Sequence, residues 1–243
     1  MKISSTNSIK ENKIKALVAG FSGAGKTYQA SLLKNFKTLV ISAESGLLSI
    51  AGKGVDYIDI SKDDAGKVIP KELRINRLME VYRYILTPEA MAKYDLLYID
   101  SLTELSQVLY DYFKKEYPER KDSLVLFGEL GQKTRDMIKS FRDVPHYHVI
   151  FTCLTVADKD ETTGRRFANF DLVGGIKDRL AQFFDAILYL RINQDGGREF
   201  VCNATDSVTA KDRSGRLSPV EPPDLGAVLN KMLQSNETKK ESK

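Results

Sequence analysis

Long hydrophobic runs are missing from the 243 residues. The longest, around residues 96–99 and 149–154, fall far short of the ~20 apolar residues that cross a bilayer, which excludes a membrane-spanning helix. Cysteine is scarce. Cys153 and Cys202 sit in separate apolar stretches without C-x-x-C pairing, which excludes a disulfide framework and a zinc site. The only histidines, His146 and His148, have no third ligand near them in sequence and read as structural. Charge of one sign is also in short supply: 37 Lys and Arg against 33 acids leave a net +4, too even to announce a polyanion by composition. The opening Met1-Lys2-Ile3-Ser4-Ser5 has no apolar leader segment, so a cytoplasmic location is expected.

What is present is globular. With 42% hydrophobic and 29% charged residues the chain is neither disordered nor membrane-embedded. At about 150 residues per domain it makes one to two domains, and a chain of this length buries roughly 70–75% of its unfolded surface. Strand-length apolar runs at 14–20, 38–43, 94–100, 148–154 and 186–192 alternate with helical periodicity at 73–86, 103–117, 127–141 and 175–184. A helix through about residue 34 is expected after the first strand. Such alternation with long crossovers predicts an α/β fold, a mostly parallel sheet with helices on both faces. The turn signal Gln194-Asp195-Gly196-Gly197 and a returning strand at 199–205 predict an antiparallel hairpin extension. Residues 1–218 read as one domain. Pro219, Pro222 and Pro223 mark a linker, followed by a short helix at 225–233 and a charged, disordered tail at 236–243.

The strongest motif is Gly20-Phe21-Ser22-Gly23-Ala24-Gly25-Lys26-Thr27, a G-x-x-x-x-G-K-[ST] loop between a strand and a helix. Its backbone N–H groups converge on phosphate, Lys26 reaches the β- and γ-phosphates, and the Thr27 hydroxyl ligates Mg²⁺. ATP with Mg²⁺ is therefore the expected ligand. Asp100 ends an apolar strand and supplies the carboxylate for the metal, with Ser101 as the cap of the next helix. Glu44, at the end of the second strand, is the candidate base that activates water, provided its strand lies beside that of Asp100. A solvent-facing loop glutamate is the alternative.

These residues resemble the RecA-type ATPase core: a phosphate loop, a strand ending in Ala43-Glu44, and a strand ending in Asp100-Ser101. The run Gly174-Gly175-Ile176-Lys177-Asp178-Arg179-Leu180 is similar to that family's Gly-Gly segment after its DNA-contacting loop. The stretch from Thr205 to Gly215 resembles phage-encoded RecA-like proteins, some of them single-strand annealing recombinases. The resemblance implies a homo-oligomeric ring or filament with ATP between protomers, where Lys211 and Arg213 would act on the neighbour's phosphates. An exposed basic loop is the other reading of that pair. It also implies single-stranded DNA as a partner, and a single-strand DNA-binding protein as a second one. The family's polar sensor, often glutamine, is absent; Thr152 or Thr155 would stand in for it.

For the DNA surface, Lys159, Arg165, Arg166 and Phe167 combine phosphate pairing with stacking, although Asp158, Asp160, Glu161 and Asp171 offset the charge. A β-turn with Gly164 at its tip is the plainer reading. Residues 114–139 form a second, mixed-charge candidate that reads as a solvated helical surface. The expected function is an ATPase of phage DNA recombination, annealing or repair. The rivals are an ATP-dependent switch or assembly protein without DNA binding and a small-molecule kinase, for which no lid is evident.

Overall fold

The structure, a computed structural model, describes residues 13–120 and 124–234. The tail at 236–243 lies outside them. The strands are β1 (Lys15–Gly20), β2 (Thr38–Ser42), β3 (Asp56–Asp59), β4 (Leu96–Asp100), β5 (His148–Lys159), β6 (Arg166–Phe170), β7 (Ala186–Ile192), β8 (Arg198–Val201), β9 (Lys211–Asp212) and β10 (Val220–Glu221). The helices are α1 (Arg74–Ile85), α2 (Pro88–Lys93), α3 (Leu102–Glu116), α4 (Leu124–Arg142) and α5 (Leu225–Leu233).

The sheet runs β10-β8-β7-β1-β5-β4-β2-β3. Its six-strand centre, β7-β1-β5-β4-β2-β3, is parallel, whereas β8, β9 and β10 pair antiparallel at the β7 side. The expected α/β class is what the structure shows. The central strands are continuous runs of buried residues because both faces are covered. On one face Leu97, Ile99, Val149 and Phe151 pack against Leu78 and Val81 of α1, Leu105 of α3 and Ile138 of α4. On the other, Val18, Val40 and Tyr98 pack against Ala30, Leu33 and the apolar side of α5.

Several elements depart from expectation. Thr27–Leu32 is a short 3-10 helix, not an α-helix reaching residue 34. The Lys26 carbonyl takes Gln29 N at 3.0 Å and also the Tyr98 hydroxyl at 2.6 Å, so a tertiary donor supplies the second bond of an oxygen that an α-turn would give to residue 30. Lys177–Phe183 is likewise 3-10. The proline-rich stretch read as a linker carries β10, and α5 beyond it buries Leu225, Val228, Leu229 and Met232 in the core. Residues 219–233 thus share the body of the preceding domain. β3 and α2 were not expected: β3 is an edge strand of sequence DYID, and α2 opens on Thr87, whose hydroxyl accepts from Ala90 N, with Pro88 at its first position.

β5 is 12 residues long, and only its first part lies in the main sheet. Thr155 to Lys159 pair with Phe170 back to Arg166 as a projecting hairpin.

Candidate nucleotide site

Parallel order brings the C-terminal ends of β1, β2, β4 and β5 to one edge. There the loop 20–27 closes a cavity of about 720 Å³ that is also lined by Glu44, Ser49, Asp100, Arg198 and Pro223. Gly23 and Gly25 take φ of +77° and +103°, backbone that side-chain-bearing residues rarely adopt. A Cβ on Gly20 would stand 2.4 Å from the carbonyl oxygen of Leu190, so β7 can lie against the loop only with glycine there.

Lys26 is 8% exposed, and its ammonium donates to the carbonyls of Gly20 and Phe21, both at 2.9 Å. Burial lowers its pKa, with Glu44 and Asp100 opposing. An amine held, among the described residues, by two loop carbonyls is free to exchange them for phosphate oxygens, which carry full charge. Thr27 Oγ1 donates to Asp100 Oδ2 at 2.7 Å, and Thr152 Oγ1 donates to the other oxygen. Asp100 itself is 3% exposed, and the peptide joining it to Ser101 is cis.

These oxygens fit a divalent cation. Hydroxyl and carboxylate are hard donors of the type Mg²⁺ takes. Ser42 faces Asp100 in register across the β2–β4 pair, and its hydroxyl is buried with no hydrogen-bond partner among the described residues. An orphaned hydroxyl beside a buried carboxylate is a cost that a hydrated ion would remove. Thr27 and Asp100 would hold that ion.

Because β2 pairs directly with β4, Glu44 lies beside the Asp100 strand end, the condition set for it. Ser101 Oγ donates to Glu44 Oε1 and accepts from Glu104 N, so one hydroxyl both caps α3 and fixes the carboxylate. Desolvation in the cleft raises the Glu44 pKa; the Ser101 bond opposes this, while Asp100 and Glu104 add to it.

Arg198 escaped the sequence. It is the first residue of β8, and its guanidinium donates to the carbonyl of Ala24 at 3.0 Å and of Gly23 at 3.5 Å. Within a planar peptide C=O and N–H point opposite ways, so holding the Ala24 carbonyl outward turns the Gly25 N–H the other way. Arg198 thereby positions the loop. The only local signal was the turn before it, since contact with residues 174 positions away is made by strand pairing. Gln29 was also missed: buried, it donates to Pro223 O at 3.1 Å and accepts from Leu225 N at 2.9 Å, tying α5 to the segment after the loop.

The other expected residues lie elsewhere. Lys211 pairs with Ile187 near the start of β7 and donates to the carbonyl of Ala181, and Arg213 makes a 3.6 Å ion pair with Asp185. Antiparallel pairing of β9 holds both toward the far end of the sheet from the loop, so they do not enter this chain's own cavity. Lys159, Arg165 and Arg166 are exposed on the β5–β6 hairpin, where Gly164 has φ +73°. Arg165 is paired with Asp206 at 2.6 Å, while Asp158 and Asp160 accept bonds that shape the turn. Arg166 and Phe167 share a groove of about 410 Å³ with Phe21 and Arg191, on the outer side of the phosphate loop. Thr152 touches Asp100, whereas Thr155 already belongs to the hairpin.

No described helix is long and apolar enough to cross a membrane. A family model described as an AAA domain matches residues 12–214, more than four-fifths of the chain. No curated protein matches it.

Proposed function

The chain belongs to the AAA domain family of nucleotide-binding P-loop ATPases, and on that premise we propose that it is a RecA-like enzyme that hydrolyses ATP and binds single-stranded DNA in recombination, annealing or repair. The observation that carries the ATPase reading is the meeting of Lys26, Thr27, Asp100 and Glu44 at one sheet edge, with Glu44 fixed by Ser101 beside the metal carboxylate.

Each residue has a distinct task. Loop N–H groups and Lys26 bind the β- and γ-phosphates and neutralise charge as the terminal phosphoryl group leaves. Mg²⁺, when bound at Thr27 and Asp100, adds electrostatic stabilisation of the phosphate oxygens. Glu44 orients a water and takes its proton while the water oxygen attacks the γ-phosphorus and the bond to the bridging oxygen breaks. A raised pKa suits this task, because a stronger base accepts the proton more readily near neutral pH. Thr152 links Asp100 to the strand that continues into the hairpin, which supports the reading that the hairpin carries DNA contacts and reports them to the nucleotide. Lys211 and Arg213 would complete the site of a neighbouring copy in an oligomer.

Two measurements test this. Lys26→Ala should abolish nucleotide binding; unchanged binding removes the loop from the account. Anisotropy of a labelled single-stranded oligonucleotide, with and without Mg-ATP, should show salt-sensitive binding modulated by the nucleotide. Tight ATP binding with no DNA binding in any condition would instead leave an ATP-dependent switch.

A further inference from the structure

Arg135, Lys139 and Arg142 occupy positions i, i+4 and i+7 of α4, so three cations share one helical face. The segment Lys177–Phe183 lays Arg179 and Gln182 beside that face. With Phe183 beneath, these side chains line a surface depression of about 440 Å³ that has no carboxylate among its described lining residues.

The fold builds this juxtaposition through glycine. Gly174 has φ +90°, and a Cβ there would stand 3.1 Å from Gly131 N and 3.3 Å from the Phe127 carbonyl oxygen. The chain therefore turns directly on the surface of α4, where Gly131 also lacks a side chain, and delivers Lys177–Phe183 alongside it. Phe183 is 6% exposed and serves as a floor: Lys139 Nζ and Arg142 Cζ lie 6.0 Å and 5.9 Å from its ring centre. Among the described residues two acids act on the cluster at Arg142: Asp143, which pairs with it at 2.6 Å, and Asp185, whose charge also favours the cation. Four cations against these two carboxylates leave an excess of positive charge that a bound polyanion would offset. The hairpin is less favourable, since Arg165 is already paired and acids stand on the same turn.

We propose that this depression is a phosphodiester-binding surface, over which the backbone of a single nucleic-acid strand runs in addition to the hairpin. It rests on the reading that the chain binds single-stranded DNA. Guanidinium forks match phosphate oxygens, and three of the four cations are arginine. Residues 135 to 142 spread their charge over about 10 Å of helix, longer than one phosphate group and suited to a chain of them. The shallow opening and buried ring favour backbone contact over base stacking.

The test is anisotropy of labelled oligothymidylate, titrated with the full chain from about 50 to 200 mM salt. Lys139→Ala with Arg179→Ala removes two exposed cations outside the nucleotide site. The slope of log affinity against log salt should become shallower by about 1.4, and affinity at 0.1 M salt should fall on the order of tenfold. ATP turnover and melting temperature should hold. If that pair unfolds, Lys139→Gln with Arg179→Gln keeps more of the side-chain bulk and should give the same change. Binding by the parent chain with an unchanged slope in a folded double variant overturns this surface alone. Absence of binding by the parent, or capture of anionic vesicles without oligonucleotide, overturns it together with the DNA reading beneath it.

Discussion

Replacing Gly226 by alanine tests whether α5 is seated on the nucleotide domain, because packing and propensity push stability in opposite directions. A Cβ at 226 would lie 2.4 Å from the carbonyl oxygen of Leu32, about 1 Å inside ordinary contact, and the obstacle is backbone that cannot rotate aside. α5 would have to lift from the segment after the phosphate loop, loosening the burial of Leu225, Val228, Leu229 and Met232 and the Gln29 bond to Leu225. Overpacking of this kind costs about 1–3 kcal/mol, whereas alanine in place of glycine within a helix returns at most about 1 kcal/mol. A backbone obstacle at 2.4 Å puts the cost in the upper half of that range, about 2–3 kcal/mol. The balance is therefore a net loss of about 1–2 kcal/mol, or roughly 2–8 °C in melting temperature for a domain of this size. Thermal denaturation followed by circular dichroism measures it directly. A second readout is nucleotide affinity, which should fall because Pro223 forms part of the cavity wall. A melting temperature at or above that of the parent would mean that propensity acts alone, and that α5 does not rest where the structure has it.

Three further expectations concern single residues. Glu44→Gln should retain ATP binding and lose turnover, and it should also stabilise the fold at pH 7. The Glu44 pKa is raised in the folded state, so the parent loses stability as pH climbs from 4.5 through the raised value, and the variant's advantage should vanish below pH 4.5. Arg198→Ala should raise the KM for ATP more than it lowers kcat, with partial rescue by lysine; an unchanged KM would show that the loop keeps its shape unaided. His148, whose Nδ1 accepts from Ile14 N at 3.1 Å, has its pKa lowered to about 4 by burial, with Lys13 and Lys15 adding to it. Neutral imidazole is favoured in the fold, so stability should fall as pH drops from about 6.5 to about 4, by up to about 3 kcal/mol. Urea titrations of the parent and His148→Gln should diverge over that window.

What was legible in the sequence is what local chemistry encodes. The phosphate loop could be read because glycine spacing, Lys26 and Thr27 are contiguous, and Asp100 because an apolar strand must end somewhere polar. Ser101 was placed as a cap by its position alone. Strand adjacency was the condition on Glu44, and the register of β2 on β4 meets it. The rest depends on contacts between distant parts of the chain. Tyr98 satisfies the Lys26 carbonyl from 72 positions away, and no periodicity within residues 27–34 would reveal it. Gln29 meets Leu225 across 196 positions, so α5 could be bounded correctly in sequence and still be taken for an appendage. β3 escaped notice because an edge strand needs no apolar run to hold its place.

The length of β5 has a mechanical consequence. At about 3.3 Å per residue its 12 residues form a nearly 40 Å beam. One end is clamped between β1 and β4, while the other pairs with β6, which residues 205–208 hold more lightly through the Ala168 N–H bond to Ser207 O at 2.8 Å. Such a cantilever is displaced least where it is clamped and carries its greatest bending moment at the clamp's rim. Thr152, in contact with Asp100, sits just inside that rim. A sideways load on the hairpin tip is therefore delivered, through continuous backbone, to the hydroxyl that touches the carboxylate assigned to the metal.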